Sequence, residues 1–134
     1  MNTLRADILK YAAEQYGTEP DYPWGRYAEY AVLRHGANKK WYALIMNIKR
    51  DKLGLPDDAP IDVMNVKIDP ELGGSIRMLP GVYPAYHMNH KSWVSVALDG
   101  SADYNDVIDL LDTSYKITAP KSRKRKKAID SEKK

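Results

Sequence analysis

The chain contains no cysteine and no phenylalanine among its 134 residues. The lack of cysteine excludes disulfides, thiolate zinc sites, iron–sulfur clusters and cysteine nucleophiles. No apolar run approaches the roughly 20 residues that a membrane-spanning helix needs. The first ten residues carry Arg5, Asp7 and Lys10, which is not typical of a signal peptide. We therefore expect a soluble, cytoplasmic protein with one domain of ordinary size and no membrane partner.

The positive charge is concentrated in one short part of the chain. Residues 119–134 hold eight Lys or Arg against two acids, whereas residues 1–118 hold 13 basic and 16 acidic side chains. The overall charge of +3 therefore describes the C-terminal segment and not the body, which is mildly acidic. That segment has too few apolar residues to offset the entropy lost on ordering. The sequence predicts a folded domain over 1–118 and a disordered basic tail over 119–134.

Hydrophobic periodicity and turn residues predict three helices and five strands. The predicted elements are a helix ended by Gly17, strands Tyr27–Arg34, Trp41–Lys49 and Ile61–Asp69, a short helix after Asp69, strands Ala85–Asn89 and Ser92–Leu98, and a helix over Asp103–Ser114. The order α-β(3)-α-β(2)-α mixes hairpins with helices and shows no βαβ alternation. It predicts an α+β two-layer sandwich, with helices on one face of an antiparallel five-stranded sheet.

Strand alternation assigns side chains to the two faces of this sheet. If the helices cover the aliphatic face, the opposite face collects a candidate ligand-binding group: Asn65, Lys67, His87, Asn89 and Trp93. A simpler interpretation, that of a water-exposed polar face with one tryptophan, remains open for each of these residues.

The sequence contains no pattern that predicts a metal or a catalytic centre. His87 and His90 are three residues apart, so on a strand their rings would point to opposite faces, and no carboxylate is adjacent. Nucleophile elbows, phosphate-binding glycine loops and His-Glu-x-x-His motifs are absent from the sequence. We therefore expect no metal, no cofactor and no enzymatic activity.

Two segments carry a resemblance to a known family. Residues 63–70 read Val-Met-Asn-Val-Lys-Ile-Asp-Pro, and Gly81–Gly100 contains Tyr-His-Met-Asn followed by a tryptophan. With the Lys40–Ile45 strand, these segments resemble the MmcQ/YjbR family of small bacterial proteins over about residues 1–118. The resemblance implies the same element order and an architecture related to secretion chaperones. It also implies a DNA-binding label, with two hairpins proposed as wings.

Two hypotheses follow from the sequence and the resemblance. In the first, a non-enzymatic protein binds double-stranded DNA weakly and electrostatically through the wing tips and the tail. The residues of that hypothesis are Lys39, Lys40, His90, Lys91, Arg123, Lys124, Arg125, Lys126 and Lys127. A merely solvated tail is an equally weighted interpretation of the cation run. In the second hypothesis, the polar sheet face binds a protein or a small ligand, and the body has no DNA site of its own.

Overall fold

A computed structural model describes residues 4–23 and 30–120 of the chain. The helices and strands are α1 (Leu4–Tyr16), β1 (Ala31–Arg34), β2 (Trp41–Lys49), β3 (Pro60–Lys67), α2 (Gly73–Arg77), β4 (Val82–Pro84), β5 (Trp93–Ala97) and α3 (Tyr104–Thr118). The predicted order α-β(3)-α-β(2)-α and the α+β class are therefore confirmed. Two predictions fall on residues outside these ranges, namely the strand start at Tyr27 and the disordered tail beyond residue 120.

The five strands form one antiparallel sheet in the order β1-β2-β3-β5-β4. Neighbours in the sequence pair directly, except that β3 pairs with β5 and leaves β4 at the edge. The connection that contains α2 allows this arrangement, because it carries the chain from β3 past the position of β5. The two edge strands, β1 and β4, are only four and three residues long, which limits the backbone exposed for pairing with other chains.

The main core lies between the sheet and the two long helices, as the apolar periodicity predicts. Ile8 and Ala12 of α1, together with Val107 and Leu111 of α3, are fully buried against the inner face of the sheet. The aliphatic residues of one parity line that face: Met64, Val66, Ile68, Val94, Val96 and Leu98. Burial of one such side chain contributes roughly 1.5–3 kcal/mol, so this helix–sheet layer is the principal source of stability.

The outer face of the sheet carries a second apolar cluster. Val32, Met46, Val63 and Ala97 are buried there, and Leu53 from the 3₁₀ turn after β2 packs on them. Partly buried tyrosines of β4 and the following loop extend the cover. The interpretation of the outer face as polar and exposed to water is therefore wrong for most of the sheet, because a loop and a 3₁₀ turn cover the centre of that face.

A β-bulge interrupts the pairing of β1 with β2. Leu33 pairs with Ala43 but Arg34 pairs with Trp41, so Tyr42 has no opposite residue. Both Tyr42 and Ala43 then point into the inner core, whereas Trp41 contacts the outer cluster. An extra residue of this kind bends the strand and re-aims its side chains. Tyr42 is fully buried at this position, and its contacts at this end of the sheet are described below.

The position of β4 is the clearest error of the sequence analysis. The predicted strand Ala85–Asn89 is a loop, and the strand instead occupies Val82–Pro84. His87 has a φ of +64°, which no strand residue adopts. Pro84 is compatible with this strand, because β4 is an edge strand, where a missing N–H removes no ladder bond. The predicted tight hairpin across His90 and Lys91 is accordingly wrong, and residues 85–92 form a longer connection.

Candidate nucleic-acid interface

One end of the sheet brings together segments that are far apart in the sequence. The β1–β2 turn lies there, and the pairs Lys67–Trp93 and Pro84–Val94 place the 85–92 loop at the same end. The last turn of α3 also lies there, because Asn38 Nδ2 donates to the Thr118 carbonyl at 3.1 Å. We call this region the hairpin end.

Charge is distributed unevenly between the two ends of the sheet. The segments at the hairpin end carry seven basic residues (Arg34, Lys39, Lys40, Lys67, Arg77, Lys91, Lys116) and six acids (Glu14, Glu19, Asp21, Asp69, Glu71, Asp112). The segments at the opposite end carry three basic residues (Arg5, Lys49, Arg50) and eight acids (Asp7, Asp51, Asp57, Asp58, Asp62, Asp99, Asp103, Asp106). The mildly acidic body therefore has a basic end.

The four wing-tip residues predicted from the sequence are exposed at the hairpin end. Lys39 and Lys40 lie in the β1–β2 turn, and His90 and Lys91 lie in the 85–92 loop. Sequence analysis missed a further cation, Arg77 of α2, whose Nη1 donates to the His90 carbonyl at 2.9 Å. This bond ties α2 to the loop and places a guanidinium beside it. The five tail cations, Arg123 to Lys127, lie outside the described residues.

His35 anchors the β1–β2 turn to α3. The Thr118 hydroxyl lies 2.8 Å from His35 Nε2 and donates its only proton to the Ser114 carbonyl, also at 2.8 Å. The hydrogen bond between the ring and this hydroxyl ties the β1–β2 turn to the last turn of α3. The ring is buried against Tyr42 and Tyr115. Burial lowers the pKa of His35 below its usual 6.5, and a backbone hydrogen bond at Tyr115 offsets part of this effect.

Ser114 holds α3 against the sheet at the point where the β2–β3 pairing ends. Its hydroxyl donates to the Tyr42 carbonyl at 2.6 Å and accepts from the Lys67 N–H at 2.9 Å. Because Ala43 pairs with Val66, Tyr42 and Lys67 are the next positions in that ladder. The serine hydroxyl is thus inserted between two backbone groups that would otherwise face each other. This bridge fixes α3 relative to both strands that lead into the hairpin end.

The 85–92 loop is attached to the sheet through Asn65. Asn65 is fully buried, and its Nδ2 donates to the Tyr86 carbonyl at 2.8 Å. The Ser95 hydroxyl donates to Asn65 Oδ1 and accepts from the Tyr86 N–H at 2.9 Å. A buried polar network in which each group has a partner rigidifies its surroundings. Asn65 is therefore a structural residue, and its assignment to a ligand-binding surface is wrong.

The other members of the predicted ligand face do not form one surface. Lys67 and Trp93 are opposite each other on β3 and β5 and are half-buried. His87 and Asn89 are exposed in the 85–92 loop, where Asn89 Oδ1 accepts from the Lys91 N–H at 2.8 Å. Strand alternation cannot relate loop residues to a face, so the grouping fails once β4 is placed at Val82–Pro84.

An open cleft of about 730 Å³ lies beside the β1–β2 turn, between α1, α3 and residues 17–23. Tyr16 and Tyr115 stack in its wall with ring centroids 3.9 Å apart. Its charged lining residues are Glu19, Asp21, Arg34 and Lys39, and Arg34 is paired with Asp21 at 2.8 Å. Equal numbers of acids and cations give the cleft no preference for either sign of charge. Sequence analysis missed it because its walls come from three separate segments of the chain.

Buried tyrosines behind this cleft are held by hydrogen bonds. The Tyr42 hydroxyl donates to Thr18 Oγ1 at 2.6 Å, and burial raises its pKa to about 12. The hydroxyls of Tyr11 and Tyr16 both donate to the Asp112 carboxylate. Burial, followed by the bond to Asp112, also raises the pKa of Tyr11. All three phenols therefore act as neutral donors.

Residues 4–23 and 30–120 contain no group of three or more His, Asp or Glu that could hold a metal ion. In the same ranges, no helix is both long enough and apolar enough to cross a membrane.

Known proteins share both the sequence and the fold of this chain. The family model described as YjbR matches residues 13–117. An uncharacterised Bacillus subtilis protein, YyaQ, is 43% identical over 114 residues, which cover 85% of this chain and 97% of that protein. A crystal structure of a Pseudomonas syringae protein has a TM-score of 0.83 at 44% identity, covering 89% of this chain and 100% of that one.

A Deinococcus radiodurans protein, 24% identical, has a TM-score of 0.63 and covers 86% of this chain and 78% of that one. At this identity the likeness concerns the fold alone. The family model spans the last turn of α1, all five strands and all but the last residue of α3, so it covers the elements that build the hairpin end. The chain therefore belongs to the YjbR family.

Proposed function

We propose that this protein is a non-enzymatic DNA-binding protein that contacts backbone phosphates with its hairpin end. The observation that carries the proposal is the uneven charge of the body. Seven basic residues converge at the hairpin end while acids predominate at the opposite end. A charge distribution of this kind orients the molecule as it approaches a polyanion, although its total body charge is negative. A cytoplasmic location is part of the same proposal.

The geometry of the hairpin end suits a duplex. The β1–β2 turn and the 85–92 loop are separated by about three strand spacings, or roughly 14 Å. That separation is comparable with the roughly 12 Å width of the major groove of B-DNA. Lys39 and Lys40 at one tip and Lys91 at the other could therefore reach phosphates on the two sides of a groove.

The basic tail adds to the same surface by connectivity. Thr118 lies at the hairpin end, bonded to His35 and Asn38, so the cations of 121–127 follow within a few residues of it. Contacts from Lys and Arg to phosphates release counterions and carry no sequence information. We therefore expect weak binding that is strongly salt-dependent and has little base preference, with the tail supplying most of the affinity.

Binding of a fluorescent DNA duplex by three full-length proteins tests the proposal. One variant replaces each of the residues 123–127 by glutamine, and a second carries Lys39→Glu and Lys40→Glu. A matched control carries Lys10→Glu and Lys49→Glu, which make the same charge change at exposed positions outside the hairpin end. We expect the tail variant to lose most of the affinity. Its slope of log Kd against log salt should fall by about 0.9 for each phosphate no longer neutralised.

The turn variant decides whether the body takes part. We expect Lys39→Glu/Lys40→Glu to weaken binding clearly more than the control pair does, because only the former reverses charge at the hairpin end. Equal effects of the two pairs would show that the body contributes through its total charge alone. Binding that survives both the tail and the turn variants unchanged would refute the proposal.

A further inference from the structure

A small pocket on the outer face of the sheet is lined by one lysine and two histidines and has no carboxylate in its wall. Its volume is about 300 Å³, and it lies between the 3₁₀ turn after β2 and the start of the 85–92 loop. Lys52, His87 and His90 form its polar lining, and Leu53 and Ala85 are among its apolar residues. We call it the outer pocket.

The polar groups of the outer pocket are free to bind a ligand. The side chains of Lys52, His87 and His90 are exposed, and none makes a hydrogen bond or an ion pair with another described residue. The His87 ring lies against the ring of Tyr86, at a centroid distance of 3.8 Å. An ammonium group beside two imidazoles disfavours a bound cation and favours an anion.

The backbone of His87 supports a role for its side chain. Its φ of +64° lies in the left-handed region, which glycine or asparagine adopts at lower energy. Strained residues of this kind cluster at binding sites, where the surrounding structure maintains them. Here the network of Asn65, Ser95 and Tyr86 holds the adjacent residue in place. The histidine is thus presented to the outer pocket by a rigid support.

We propose that the outer pocket binds a small organic anion. Its carboxylate or phosphate group would lie among Lys52, His87 and His90, and its apolar part would pack on Leu53 and Ala85. A volume of about 300 Å³ is at the lower limit for small-molecule sites, so the ligand has to be compact. Because His87 and His90 line one pocket, the expectation that their rings point to opposite faces is also corrected. This proposal does not depend on DNA binding.

Titration of the full-length protein with benzoate and with phenyl phosphate, followed by two-dimensional NMR, tests the proposal. We expect saturable shifts of the amides of Leu53 and Ala85–His87 with at least one of these anions. Benzyl alcohol, a neutral molecule of similar shape, should not produce them. The better of the two anions identifies the preferred head group.

Three variants assign the effect to the pocket. Lys52→Met removes the ammonium group and should weaken anion binding about tenfold. His87→Asn keeps a residue that tolerates positive φ and should also weaken it. Lys49→Met removes an exposed cation that lies outside the pocket, three residues before Lys52, and should leave the affinity unchanged. The NMR spectrum of each variant reports directly whether it is folded.

Four results would overturn the proposal. They are the absence of saturable shifts with both anions, equal shifts with benzyl alcohol, normal affinity in both pocket variants, and a loss in Lys49→Met as large as that in Lys52→Met. The last result would indicate general attraction of anions to the basic surface. None of these measurements involves DNA, so their failure leaves the DNA-binding proposal to its own experiment.

Discussion

Replacing Ser114 by alanine should destabilise the whole domain, because its hydroxyl serves two buried backbone groups. The side chain is fully buried, donates to the Tyr42 carbonyl and accepts from the Lys67 N–H. The substitution removes one oxygen and leaves almost no cavity, so the lost hydrogen bonds dominate its effect. The β2–β3 pairing ends at Ala43 and Val66, so the two groups are bridged by the hydroxyl and do not pair directly with each other.

The magnitude follows from the two groups left without a partner. An unsatisfied buried donor or acceptor costs about 1–3 kcal/mol, so we expect a loss of about 2–4 kcal/mol after partial relaxation. For a chain of this size, that corresponds to a decrease in Tm of roughly 10 °C. The assay is denaturant unfolding followed by circular dichroism, with calorimetry for Tm. Thr113→Ala, an exposed neighbour on α3, is the control and should change stability by less than about 0.5 kcal/mol.

A loss below about 0.5 kcal/mol in Ser114→Ala would refute this reasoning. It would mean that β2 and β3 close the gap and that the Lys67 N–H bonds the Tyr42 carbonyl directly. Hydrogen exchange at the Lys67 amide distinguishes the two cases, because an unpaired amide exchanges much faster than a paired one.

Two further substitutions test other parts of the structure. His35 has a lowered pKa in the folded state, so below about pH 6.5 the unfolded chain takes up a proton before the native protein does, and stability falls as the pH decreases. The free energy of unfolding, measured from pH 8 to pH 5, should fall more steeply in the wild-type protein than in His35→Gln. The difference in slope should be at most about 1.4 kcal/mol per pH unit. Parallel curves of the free energy of unfolding against pH would contradict this prediction. Gly81→Ala should lower stability by more than about 1 kcal/mol, because its φ is +79° and a Cβ would lie 2.7 Å from the Ala102 nitrogen. Gly74→Ala is the control for thermal unfolding, because open space surrounds Gly74, and it should be neutral or slightly stabilising. Equal losses of stability in Gly81→Ala and Gly74→Ala would show that Gly81 is not constrained.

Local sequence patterns were sufficient to predict the order of the helices and strands and the apolar residues of the inner face of the sheet. The helical spacing of Val107 and Leu111 and the alternation of Val94 and Val96 are properties of neighbouring residues, and both sets lie in the main core. The concentration of charge at the C-terminal end was likewise readable directly from the sequence. Family membership followed from short segments with a specific order of residues, and the match over 13–117 confirms it.

The contacts that form the two candidate sites depend on residues distant in sequence. Asn65 is typical of a polar surface, yet it is buried because Tyr86 and Ser95 supply partners for its amide. His87 leaves the strand because β4 ends at Pro84 and its loop attaches to that network. The convergence of basic turns at one end follows from strand order and direction. Periodicity specifies which side of an element is apolar, whereas the packing of the whole chain decides what covers that side and which loops become neighbours.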